Sequence, residues 1–149
     1  MKMDPHRRLG FLVRDVARLY SWHFDRMARR KLGLSLAQCR LLGAIARHEG
    51  DEPPSQVELA QMLDLTPMGI ARLCDRMESA KWIARRPSAT DRRTNCISLL
   101  PRARKALESA LALGDELQTV ALKGLSSAQQ KEFLAALRQA HTNLTALSA

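Results

Sequence analysis

The residues of this chain best suited to chemistry are cations rather than nucleophiles. In the stretch WIARRPSATDRRTNCISLL, two short alternating runs, Trp82–Arg86 and Asn95–Leu99, flank a polar segment holding Pro87, Asp91, Arg92 and Arg93. Adjacent guanidinium groups on a projecting turn carry fixed charge and forked donors, which suit phosphates and base edges. An aspartate beside them is expected to pin one guanidinium and leave the other free to reach outward. The groups that could make or break bonds are badly spaced for it. His6, His23, His48 and His141 are scattered, with no glycine-rich phosphate loop and no strand–nucleophile–helix element. An enzyme is therefore not expected. Cys39, Cys74 and Cys96 form no CxxC pair, so neither a zinc nor a disulfide framework is expected, and no metal or cofactor.

Charge points the same way. Lys and Arg number 24 against 15 Asp and Glu, for a net charge of +9 over 149 residues. So basic a protein is drawn to polyanions, either nucleic acid or acidic membrane surfaces. There is no apolar run of transmembrane length and no charged-then-apolar leader, so a cytoplasmic protein with no membrane partner is expected. Hydrophobic residues make up 46% and aromatics only 4%, a balance carried by Leu, Ala and Met that favours helices. The expected fold class is mainly α with a small β-hairpin.

The elements that would position the arginines can be read from periodicity and caps. From Leu9 to Met27 apolar residues recur at three-and-four spacing, one long amphipathic helix that Gly33 would close. A second helix spans Leu36–His48, with Cys39, Leu42, Ile45 and Ala46 expected on its buried side. Ser55-x-x-Glu58 is a capping box opening a short helix that ends near Leu63. Thr66 caps the next helix, and Pro67 suits its first position, where a missing N–H is harmless. About three residues separate the two, the turn length of a helix-turn-helix.

At about 100° per residue, Ile70, Leu73, Cys74 and Met77 should face the core, with Met68, Arg72, Asp75 and Arg76 opposite. Such a face fits a major groove about 12 Å wide, with Arg72 on guanine edges and Arg76 on phosphate. The following hairpin alternates, Ile97 and Leu99 inward and Ser98 outward, which makes the unit a winged helix. Its basic tip would enter a narrow minor groove. Cationic amphipathic helices also suit RNA or membrane surfaces, although no aromatic stacking platform for single strands is visible. Farther on, Leu107, Leu111, Gly114, Leu117 and Ala121 share one predicted face, where Gly114 would mark a close crossing or a bend. Ser126-x-x-Gln129 caps a last helix carrying Phe133, Leu137, Ala140, Leu144 and Leu147. Apolar stripes on the first and last helices need a partner, and self-association is the economical one.

These segments resemble the MarR (multiple antibiotic resistance regulator) family of bacterial transcription factors. The resemblance runs from about Phe24 through Leu107 and is carried by LGLSLAQCRLLGAIA, SQVELAQMLDLTPMGIARLCDRMESA, WIARRPSATDRR and ISLLPRARKALE, with Asp91-Arg92-Arg93 its most specific element. It implies a homodimer on a pseudo-palindromic double-stranded operator, with half-sites about 34–36 Å apart. Residues 1–33 and 102–149 would form the dimerisation region around a DNA-binding lobe of residues 34–101. The DNA-contacting set would be Ser55, Thr66, Pro67, Met68, Arg72, Arg76, Arg86, Asp91, Arg92 and Arg93. The family's habits further imply a repressor released by a small aromatic acid or phenol, for which Tyr20 and His23 are the candidate contacts. The alternative is oxidant sensing through Cys96, expected at the surface of its strand. Five positions depart from the family pattern. Lys81 stands where Gly is usual, Ser88-Ala89 replaces Asp-Pro before the wing tip, and Leu100 and Ala103 replace Thr and Gly after the second strand.

Overall fold

In a computed structural model that describes residues 8–49 and 51–147, the elements run α1 (Leu9–Leu32), α2 (Leu36–Arg47), α3 (Gln56–Leu63), α4 (Pro67–Ser79), β1 (Ile83–Pro87), β2 (Asn95–Leu99), α5 (Pro101–Ala121) and α6 (Ser127–Ala146). His6 lies outside the described residues. The chain falls into two compact units, Met1–Asp115 and Glu116–Ala149. The fold class is the expected one, mainly helical with a two-stranded antiparallel hairpin. Among the described residues no helix is long and apolar enough to cross a membrane.

Local chemistry sets the helix ends. Gly33 closes α1 in the left-handed region at φ 68°, its N–H donating to the Arg29 carbonyl. Three capping boxes open α2, α3 and α6 at Ser35, Ser55 and Ser126. The one at Ser35–Gln38 was not anticipated, although its spacing is the same as in the other two. Asp25 adds a further tie from α1, one carboxylate oxygen accepting from the Leu36 N–H at 2.8 Å and the other from Arg29 at 2.6 Å. These bonds hold the Asp25 carboxyl below its ordinary range, the Arg29 contact contributing most.

The core of the first unit gathers Leu34, Leu41, Leu42, Leu59, Ile70, Met77, Ile83 and Ile97, all essentially inaccessible to solvent. Ala28 of α1 and Ala103, Ala110 and Leu113 of α5 join the same cluster. Some expected faces shift. Cys39, Leu42 and Ile45 are buried on α2, but Ala46 is exposed and Leu41 and Ala44 take the inner positions. On α5 the inner positions include Ala103, Ala110 and Leu113, while Leu111 is exposed. The small alanines, which carried little weight in the pattern, are what pack. Gly114 marks no close crossing, because a Cβ there would meet nothing within 4 Å. Instead its carbonyl accepts the Tyr20 hydroxyl at 3.1 Å.

The end of α4 carries backbone strain. Lys81 sits at φ 57°, with its N–H on the Glu78 carbonyl and the Trp82 N–H on the Met77 carbonyl. That pair of bonds is a Schellman motif, which puts a left-handed residue where glycine would be unstrained. The departure at Lys81 therefore leaves the junction geometry intact and places the cost in the side chain. Lys81→Gly is expected to stabilise the protein by about 0.5–1 kcal/mol, the left-handed penalty less the extra chain entropy of glycine. A thermal melt should show a rise of about 1–4 °C, and an unchanged or lower midpoint would refute the strain.

Candidate nucleic-acid interface

The helix-turn-helix is built by three local devices. At its entry the Ser55 hydroxyl accepts from the Glu58 N–H at 3.2 Å, and the Glu58 carboxylate accepts from the Ser55 N–H at 2.7 Å. In the turn Asp64 takes the left-handed region at φ 52°, and the Leu65 N–H returns to the Ala60 carbonyl at 2.9 Å. At the start of α4 the Thr66 hydroxyl accepts from the Gly69 N–H at 3.0 Å, and Pro67 occupies the first turn. A Cβ on Gly69 would lie 3.1 Å from that hydroxyl oxygen, a tight contact that glycine avoids.

With α4 fixed in this way, Ile70, Leu73, Cys74 and Met77 are buried, and Met68, Arg72, Asp75 and Arg76 are exposed. Met68 keeps 64% of its surface in solvent. An unbranched thioether held out at a helix start is unusual for a merely solvated face, since methionine ordinarily fills core gaps.

The wing pairs Ile83 with Leu99 through Pro87 with Asn95. Its first strand starts one residue later than the alternating run, because Trp82 ends α4's cap and packs under Arg102, whose guanidinium lies 3.7 Å from the indole centroid. Pro87 closes β1, so it lies in the strand and not at the tip. Arg86, Arg92 and Arg93 are exposed.

Asp91 does not brace a guanidinium. Its Oδ1 accepts from the Arg93 backbone N–H at 2.9 Å and its Oδ2 from the Thr94 hydroxyl at 3.1 Å. The carboxylate thus folds the loop by an Asx turn, and among the described residues Arg92 and Arg93 form no ion pair. The brace exists, but it acts on the backbone that carries the arginines.

Sequence reasoning missed Arg85. Its guanidinium lies 2.6 Å from Asp75 and 3.6 Å from Glu78, and its backbone N–H donates to Glu78 at 3.2 Å. One strand residue therefore ties the wing to the outer side of α4. Alternation puts it on the opposite strand face from Arg86, but nothing local to the strand points to its carboxylate partners on α4.

Strict alternation also fails on β2, where Cys96 is buried next to Ile97. The chain before α3 lies against the face expected to be wet. Ile97 N–H donates to the Pro54 carbonyl at 2.8 Å, and Ser55 bridges to Cys96. Cys96 is only 9% exposed, and burial, with the Glu52 charge second, pushes its thiol up. Burial likewise raises Cys74 and takes Cys39 to about 11. Thiolates are the reactive form. At neutral pH an aromatic disulfide reagent should therefore label the folded protein at least about 100-fold more slowly than the denatured chain. One thiol reacting within seconds in buffer would contradict this.

Tyr20 and His23 do not come together at one pocket. Tyr20 is half-buried with its hydroxyl on α5, and burial raises its pKa. His23 is exposed, not a core residue, and stands edge-on to Trp22 at 4.7 Å. It lines a groove of about 350 Å³ with Trp22, Arg26, Met27 and Arg30. Among the described residues no group of His, Cys, Asp or Glu is arranged to hold a metal.

Known proteins share this architecture. The family model described as the MarR family matches residues 32–94. The transcriptional regulator HosA of Escherichia coli O127:H6 is 28% identical over 125 residues, 84% of this chain and 90% of that protein. The crystal structure of transcriptional regulator PA3341 is 30% identical, with a TM-score of 0.75 over 93% of this chain and 98% of that one. A Staphylococcus aureus MepR–DNA complex superposes with a TM-score of 0.75 at 22% identity, over 91% of this chain and 98% of that one. The likeness extends over nearly the full length of this chain and of these relatives, and the chain belongs to the MarR family of winged-helix transcriptional regulators.

Proposed function

We propose that the protein binds a pseudo-palindromic operator in double-stranded DNA as a homodimer and represses transcription from it. The observation that carries this reading is one lobe presenting two exposed cationic elements, the Met68–Arg72–Arg76 face of α4 and the Arg86–Arg92–Arg93 wing. Arg72 and Met68 are separated by one helical turn, so one can read a guanine edge while the other meets a thymine methyl. Arg76, the wing arginines and the hydroxyls of Ser55 and Thr66 would hold phosphates, with Pro67 shaping the approach and Asp91 fixing the wing loop. The MepR–DNA complex lends support through its similar fold.

Dimerisation is supported by apolar surface that a monomer would leave wet. Leu9, Leu12, Val13, Val16 and Leu19 are exposed on α1, and Phe133, Leu137, Leu144 and Leu147 at α6. Stripes of this size mark association surfaces. A small aromatic acid meeting Tyr20 or His23 would release the operator. Cys96 gives the oxidant-sensing alternative little support, because its thiol is buried and its thiolate disfavoured. Such a regulator works in the cytoplasm.

The deciding experiment is selection of bound genomic fragments, repeated with aromatic acids and with competing RNA and anionic vesicles. The expected result is a two-fold sequence that duplex competitors displace and whose preference survives moderate salt. Retention of RNA or vesicles over duplex DNA would sink the reading.

A further inference from the structure

We propose that Glu52, in the segment between α2 and α3, is a positioning residue that sets the wing for DNA binding. It rests on the DNA reading above. The Glu52 carboxylate takes both of its strong contacts from the wing base. The Ser88 hydroxyl donates to one oxygen at 2.7 Å and the Ala89 N–H to the other at 2.9 Å. The Cys96 thiol approaches the first oxygen at 3.9 Å. Ser88 is 6% exposed, the one buried polar side chain among the described residues. Its single proton goes to Glu52, while its oxygen accepts from the N–H groups of Thr90 at 3.1 Å and Asp91 at 3.2 Å. Asp91 in turn fixes the Arg93 N–H and the Thr94 hydroxyl. A continuous polar relay therefore runs from Glu52 through Ser88 and Asp91 to the backbone of the tip arginines.

The base of this relay is stiff. Pro53 and Pro54 follow Glu52, and the Pro54 carbonyl accepts from the Ile97 N–H at 2.8 Å. Proline fixes φ and leaves the segment few alternatives. The relay runs through the position where this chain carries Ser88-Ala89, and a hydroxyl followed by a free N–H is what a carboxylate can grip with both oxygens. Proline at 89 would have no N–H to give. A wing loop that is already ordered loses less conformational freedom when its arginines meet phosphate, and that difference appears as affinity.

The sign of the effect separates positioning from charge. Removing a carboxylate from a protein that binds a polyanion should by itself tighten binding, and Glu49→Ala, a nearby exposed acid, serves as that control. Glu52→Ala is expected to do the opposite. If each wing of the dimer loses one phosphate contact, the slope of log K against log salt falls by about 2. That is roughly 30-fold weaker binding at about 0.15 M salt. Base preference under α4 should be unchanged. In a double-mutant cycle with Arg93→Ala the two losses should be clearly less than additive, because both act through one loop. Ser88→Ala breaks the relay from its other side and should repeat the result, which covers the case of a Glu52 variant that does not fold.

Duplex titrations of the full-length protein across a salt series read all of these. Weaker binding with a shallower slope and a non-additive cycle supports the clamp. Binding that tightens as in Glu49→Ala, or losses that add, overturns it. A parent protein that binds no duplex overturns the DNA reading and the clamp's role together.

Discussion

Arg72→Ala should abolish the preference for guanine at one position of each half-site while leaving binding to the remaining positions ordered as before. Arg72 is exposed on α4, one turn beyond Met68 and on the face opposite Ile70 and Met77. A guanidinium there is a forked donor that matches the two acceptors guanine shows in the major groove, and a good bidentate pair discriminates by about 1–3 kcal/mol. That corresponds to roughly 5- to 150-fold per half-site. Arg93→Ala provides the contrast. A wing arginine on phosphate carries no base information, so its loss should weaken all sequences evenly and lower the salt slope by about one unit per wing. Binding measured against a panel of single-base operator variants separates the two. An Arg72→Ala protein that loses affinity equally on every variant would place this side chain on the backbone instead. One that binds like the parent would remove α4 from the groove.

The helix-turn-helix was legible because its information is local. Ser55, Glu58, Thr66 and Pro67 act within one turn of themselves, and the 100° periodicity of α4 separates Leu73 from Arg72 without reference to any partner. What the sequence concealed lies between segments distant along the chain. Cys96 looked exposed because alternation treats a two-stranded hairpin as having one free face, whereas the Pro54–Ser55 segment covers it. Asp91 was expected to hold a guanidinium because the arginines are its nearest neighbours in sequence. In the fold, the backbone N–H of Arg93 is nearer and already oriented. On α5 the large leucines drew attention away from Ala103 and Ala110, although small side chains are what permit close packing. Arg85 and Arg86 are adjacent and chemically identical, yet one is 20% exposed as a side chain and paired while the other faces solvent. Alternation sets them on opposite faces of β1, but the partners that distinguish Arg85, Asp75 and Glu78, lie on α4 and no local spacing reveals them.

Arg85→Ala should cost more than any single charge on the protein's surface, because this side chain joins the two parts proposed to address DNA together. Its Nη2 lies 2.6 Å from Asp75 and 3.4 Å from the Ala71 carbonyl, its Nη1 3.6 Å from Glu78. Asp75 is 63% exposed, so solvent screens much of the attraction and the pair alone would contribute little. The larger part is geometric. The buried stem and forked head fasten β1 to α4, and truncation leaves two carboxylates of α4 without their cation. A loss of about 2 kcal/mol is expected, near the value of hydrogen bonds to charged partners, with a melting midpoint lower by about 4–8 °C. DNA binding should fall further than stability alone requires, since the freed carboxylates of Asp75 and Glu78 would stand near phosphate and the wing would lose its registry with α4. Arg85→Lys tests the split. A lysine restores the charge but cannot contact Asp75, Glu78 and Ala71 at once, so it should recover most of the affinity at low salt and little of the thermal stability. If Lys restored both fully, the fork would be irrelevant and only charge would matter. If Ala matched the parent in both, the wing would be held to α4 by the Ile83 and Ile97 core alone.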